Sequence, residues 1–158
     1  MNRIGLNQEK AESLSNQLND LLANYQLFYM NVRGFHWNIK GNKFFELHVK
    51  FEELYNDLQI KIDEIAERVL TLESTPKHSF TDYLETSEIK SLTNITGSEE
   101  TVNSVLESFK TSDRYLIGLL LGIKFKSPIT IAEMLLVFNF FILFTINFAL
   151  SNLAISPI

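Results

Sequence analysis

Between Phe35 and Arg68 the chain places His36, His48, Glu52, Asp63 and Glu67. Imidazole nitrogen with carboxylate oxygen is the donor set of a divalent or ferrous/ferric metal site. On a helix, His48 with Glu52 and Asp63 with Glu67 are i, i+4 pairs and share a face. Fifteen residues separate His48 from Asp63, about 22 Å along a helix axis. A metal bonds over about 2–2.5 Å, so one helix cannot bring both pairs to one ion. His36 folds back across a short loop toward His48. One chain therefore offers two half-sites: His36, His48 and Glu52, and farther along Asp63 and Glu67. Two copies packed antiparallel about a two-fold axis would set each upper half-site against its partner's lower one and make two identical sites.

Helices must position these groups. From near Asn7 to Trp37, Leu14, Leu18, Leu21, Leu22, Tyr25, Phe28, Tyr29 and Val32 recur at three- and four-residue spacing, which predicts an amphipathic helix. Asn38 to Lys43 is a short polar link containing Gly41, so the next helix runs antiparallel to the first. That helix spans about Phe44 to Leu72, with a stripe of Leu47, Phe51, Leu54, Leu58, Ile62, Ile65, Val69 and Leu72. His48, Glu52 and Asp63 each follow a stripe residue by one position and lie along one flank of it. Pro76 breaks the pattern, a short helix is expected around Thr81 to Ser87, and a third long helix starts after Gly97, capped by Ser98. Its apolar face is expected to be Val102, Val105, Leu106 and Phe109.

The composition fits an all-α fold: six glycines and three prolines in 158 residues leave few strand-and-turn signals. With no cysteine there is no disulfide framework and no thiolate chemistry. The net charge is −5 and no segment gathers the Lys and Arg residues, which argues against a nucleic-acid surface. The first twenty residues lack the apolar run of a signal peptide, and a cytoplasmic location is expected.

The motifs His36-Trp37, Gly41, Phe44, Leu47-His48, Phe51-Glu52-Glu53-Leu54-Tyr55 and Asp63-Glu64-Ile65-Ala66-Glu67-Arg68 resemble the Dps family of ferritin-like proteins, which protect DNA in starved cells. The resemblance is specific across Leu21 to Pro76, weaker through Leu106 and poor beyond Lys110. It implies one domain over 1–158, a ferritin-like four-helix bundle with a long crossover between its second and third helices. It also implies a ferroxidase site between two subunits, with His36, His48 and Glu52 from one chain and Asp63 and Glu67 from the other. Many family members carry Asp where this chain has Glu52. The implied activity is oxidation of Fe(II), with hydrogen peroxide as the preferred oxidant, and storage of the ferric product in a twelve-subunit shell. Trp37, beside His36, is the candidate electron donor. Family members that bind DNA directly often use a Lys-rich tail; the N-terminus here offers Arg3 and Lys10, so direct DNA binding is not expected.

After Lys110 the family pattern stops. Residues 111–158 lack the acidic turn and the charged last helix of the family, and Glu133 is the one charged residue between Ile129 and Ile158. Met134 to Ile155 carries no charge over twenty-two residues. Such a run fits either a fully buried, atypically apolar last helix or a membrane-associated segment. A shifted reading frame and genuine divergence would each produce it. The rival to iron oxidation is thus a non-catalytic helical protein held at a membrane by its C-terminal part, or a defective relative of the family.

Overall fold

The computed structural model describes residues 5–121, whose regular elements are α1 (Gln8–Asn38), α2 (Phe44–Thr71), α3 (Phe80–Thr86) and α4 (Ser98–Leu121). The expected all-α fold, with a short helix inside the crossover, is present. The expectations for Met134 to Ile155 fall outside the described residues. Among those described, no helix is long and apolar enough to cross a membrane.

The side chain of Asn7 caps α1 by accepting from the Lys10 amide at 3.0 Å. Gly41, with φ +97°, turns the chain in the link to α2, a conformation that costs glycine little. At its far end α2 stops at Thr71, five residues before Pro76. Glu73 adopts φ +61°, its amide bonds Leu70 O at 2.9 Å and the Ser74 amide bonds Val69 O at 3.2 Å. This is the Schellman arrangement with glutamate in the usual glycine position. The proline is therefore not what ends the helix. Ser98 is the first residue of α4 rather than its cap; Gly97 O receives the Thr101 amide at 3.0 Å.

Leu21, Leu22, Tyr25, Phe28, Val32 and Phe35 of α1 pack with Phe51 and Leu58 of α2. The Phe28 ring meets Phe109 of α4 edge-on, centroids 5.0 Å apart. Of the predicted α2 stripe, Phe51, Leu58 and Val69 are buried and the other members are half-buried. Leu14, expected in the α1 face, is exposed.

The apolar face expected for α4 is corrected in part: Val105 packs against the core and Phe109 touches Phe28, as expected. Thr101, Ser108 and Ser112 are buried, whereas Val102, Leu106 and Phe109 are exposed among the described residues. The three hydroxyls satisfy themselves on their own helix, donating to Gly97 O, Ser104 O and Ser108 O at 2.8–2.9 Å. Small and already bonded, they can face the packed side without an unpaired polar group.

A second buried polar set was not expected from an apolar stripe. Asn19, Asn24 and Asn31 of α1 are all buried and fasten the crossover to the helix. Asn19 donates to Thr75 O at 3.2 Å and accepts from the Lys77 amide at 2.7 Å. Asn24 Oδ1 accepts from the amides of Glu88 and Ile89 and from Ser87 Oγ at 3.0–3.2 Å. Asn31 donates to Lys90 O at 2.8 Å and accepts from the Leu92 amide at 2.9 Å. A carboxamide carries both a donor and an acceptor, so it can satisfy the backbone groups of a segment that has no regular hydrogen-bonding partner.

Candidate metal centre

The last turn of α1 and the second turn of α2 bring His36 and His48 face to face. Their rings stack with centroids 3.8 Å apart and planes 22° from parallel. Phe44 lies over the other face of His48 at 5.0 Å, and the Tyr55 ring meets His36 edge-on at 5.3 Å. Both histidines are half-buried.

The two imidazoles are also tied to each other's backbone. His36 Nδ1 lies 2.8 Å from His48 O, and His48 Nδ1 lies 2.9 Å from His36 O. A carbonyl oxygen only accepts, so each Nδ1 carries the proton and donates it. In the neutral ring that leaves Nε2 as a lone pair, the form that binds a metal. The end of α1 explains why His36 O is available. In a longer helix it would take the Lys40 amide, but that amide bonds Thr96 O at 3.0 Å while Ile39 N bonds Phe35 O at 2.9 Å. His48 supplies the partner that the helix end lacks.

Glu52, Asp63 and Glu67 are all exposed on α2. Among the described residues of one chain, no three His, Cys, Asp or Glu side chains converge tightly enough to hold a metal ion. The chain thus assembles the histidine pair; Glu52, one turn beyond His48, is not gathered with it into a three-ligand group. Glu53 and Asp57 are engaged by Lys50 and Lys61 respectively, as expected of solvated helix acids. His78 is exposed, its Nδ1 2.9 Å from Pro76 O.

Trp37 is 56 % exposed. Arg33, one turn earlier on α1, sets its guanidinium 4.9 Å from the Trp37 ring, 5.0 Å from the Tyr55 ring and 5.6 Å from the Tyr29 ring. Arg33 Nη1 donates to Tyr29 Oη at 2.6 Å. The sequence carries a signal for this cluster: Tyr29 and Trp37 stand four residues to either side of Arg33, on the same face of the helix.

Long helices joined by a crossover, with paired histidines beside a run of helix acids, define a ferritin-like protein. The family model described as a ferritin-like domain matches residues 15–119. The chain is 49 % identical to the Dps protein of Vibrio cholerae O1, whose crystal structure superposes with a TM-score of 0.75 over 76 % of each chain and is described as a member of a broad superfamily of ferritin-like diiron-carboxylate proteins. It is 40 % identical over 106 residues to the DNA protection during starvation protein of Porphyromonas gingivalis, covering 67 % of each chain. With general stress protein 20U of Bacillus subtilis it shares 38 % over 99 residues, 63 % of this chain and 68 % of that one. The chain belongs to the Dps family of ferritin-like proteins.

Proposed function

We propose that this protein oxidises Fe(II) at sites shared by two subunits and retains the ferric product, protecting the cell and its DNA from oxidative damage. The observation that carries the proposal is the His36–His48 clamp, which presents two Nε2 lone pairs from one chain. Imidazole favours ferrous iron, and the exposed acids Asp63 and Glu67 supply the harder oxygen donors that ferric iron prefers. In a two-fold pair of antiparallel α2 helices, His48 opposes Glu67 and Glu52 opposes Asp63. His36, His48 and Glu52 of one chain then meet Asp63 and Glu67 of the other.

Hydrogen peroxide is the oxidant of choice on chemical grounds. It accepts two electrons with two protons to give two waters, so two Fe(II) ions per peroxide leave no hydroxyl radical. Trp37 is the candidate donor for a stray oxidising equivalent. The Arg33 cation over its ring opposes a positively charged indole radical, so oxidation there would shed the indole proton to the solvent that the ring faces. A Trp37→Phe variant with unchanged radical yield would remove Trp37 from this role.

Assembly as a dimer is required by this site, and a closed dodecamer and a cytoplasmic location are the family expectation. No direct DNA binding is proposed, because the cations at the N-terminus are few; a gel shift that persists at physiological salt would overturn that.

Anaerobic Fe(II) titration followed by peroxide tests the whole proposal. Wild type should bind and oxidise iron, and the His36→Ala, His48→Ala double variant should not. Equal oxidation by the two would refute the site.

A further inference from the structure

Helix α2 holds two large apolar side chains out in water, one near each end. Phe45 is 80 % exposed and Leu70 58 %. Twenty-five residues separate them, about 37 Å along the axis, yet they share a face with two of the acids. Phe45 and Asp63 are eighteen residues apart, as are Glu52 and Leu70, and eighteen residues make about five turns. Phe45 and Glu52 are seven apart, which adds a drift of about 20°. The four residues therefore stand in one row, roughly 110° round the helix from the buried Phe51. All four are exposed.

The row reads the same from either end. It runs Phe45, Glu52, Asn56, Gln59, Asp63, Leu70: apolar, acid, carboxamide, carboxamide, acid, apolar. Asn56 and Gln59 are exposed as well, and all three pairs share one midpoint, between Asp57 and Leu58. A surface that meets a different protein has no need of such symmetry. A surface that meets its own copy about a two-fold axis must match residue i to j and j to i. The two-fold pairing of α2 under Proposed function, on which this inference rests, sets Glu52 against Asp63 and so has the same midpoint. Phe45 then faces Leu70 of the second copy, matched in level and in direction, about one turn beyond His48 and Glu67.

The acids make an apolar contact necessary. Before iron binds, Glu52 of each copy stands against Asp63 of the other, and like charges repel. Burial of Phe45 and Leu70 supplies an attraction that needs no metal. Phe45 also adjoins the clamp: its ring meets Phe44 edge-on at 5.3 Å, and Phe44 stacks on His48 at 5.0 Å.

We propose that Phe45 of each copy packs against Leu70 of the other, making two apolar clasps that bracket the paired half-sites and hold the dimer together without metal.

The test uses the full-length protein with chelator present. With p-benzoylphenylalanine at position 45, which keeps the aromatic anchor, light should yield a covalent dimer attached around Leu70 of the other copy. Attachment within the same chain, attachment far from Leu70, or no covalent dimer overturns the clasp. Phe45→Ala and Leu70→Ala each remove both clasps, and each should raise the dimer dissociation constant about tenfold or more. The double variant should fall short of the product of the two effects, and Phe45→Leu should retain most of the affinity. Unchanged dissociation in both alanine variants is likewise fatal to the clasp. Neither residue is a proposed iron ligand. Dimers captured at Leu70 that bind no Fe(II) would refute the iron site and leave the clasp standing. Iron oxidation by chains that give no such capture would do the reverse.

Discussion

His36 and His48 each donate their Nδ1 proton to the other's backbone carbonyl, at 2.8 and 2.9 Å, while their rings stack 3.8 Å apart. The clamp does two things at once: it selects the tautomer of both rings, and it supplies a partner for a carbonyl at the end of α1. One residue pair thus belongs both to the fold and to the proposed chemistry.

That double role predicts a stability cost separable from any loss of function. His48→Ala leaves His36 O without its side-chain partner and should destabilise the metal-free protein by about 1–3 kcal/mol. Urea unfolding with chelator present measures it. His48→Asn, whose amide can donate, should recover part of the stability and no iron oxidation.

Asn24 receives three hydrogen bonds from the start of the segment after α3. Asn24→Leu keeps the approximate volume but strands the amides of Glu88 and Ile89, while Ser87 Oγ keeps Ile89 O at 2.9 Å, and should cost about 2–3 kcal/mol. Hydrogen exchange should show the amides of Glu88 and Ile89 losing protection first. Protection equal to wild type would mean that the crossover is held by something else.

Glu88 sets a pH dependence at low pH. Burial pushes its carboxyl up, but hydrogen bonds from Tyr115 and Arg114 and the Arg114 charge outweigh it and hold the group below the usual carboxylate range. A depressed folded-state pKa contributes stability above the unfolded value, and that contribution is lost as pH falls through the folded one. Glu88→Gln should therefore lower stability near neutral pH and flatten its decline below about pH 5. The measurement is thermal unfolding between neutral pH and pH 3.

Asp113 has the opposite sign. Burial raises its pKa, so the folded protein holds the proton more tightly than the unfolded chain does. The resulting penalty is absent below the unfolded pKa and complete once pH exceeds the folded one. Asp113→Asn should stabilise the protein at pH 7 and leave it little changed at pH 3. A loss of stability at neutral pH would show that the charged carboxylate has a favourable partner.

Periodicity located α1 and α2, because an apolar face repeating every three or four residues is buried on one side of a helix. The link around Gly41 was readable from its polar residues and glycine, and the crossover from the break at Pro76. So was the impossibility of a one-helix site, since the rise per residue separates His48 from Asp63 whatever else happens. Which face of α4 turns inward was not readable: hydroxyls that bond their own helix cost little to bury, and hydropathy does not register this. The three buried asparagines escaped for a related reason, as their value depends on a crossover segment that approaches only in the folded chain.

The sequence by itself named the candidate donors and showed that His36 and His48 sit at the ends of facing helices. Only the tertiary structure decided the tautomer of those rings. Proton placement depends on which acceptor each nitrogen meets, and the acceptors are backbone carbonyls exposed by the end of one helix and the packing of the next. The same holds for Arg33. Its charge is plain in the sequence, but its three rings emerge only once α1 lies against α2.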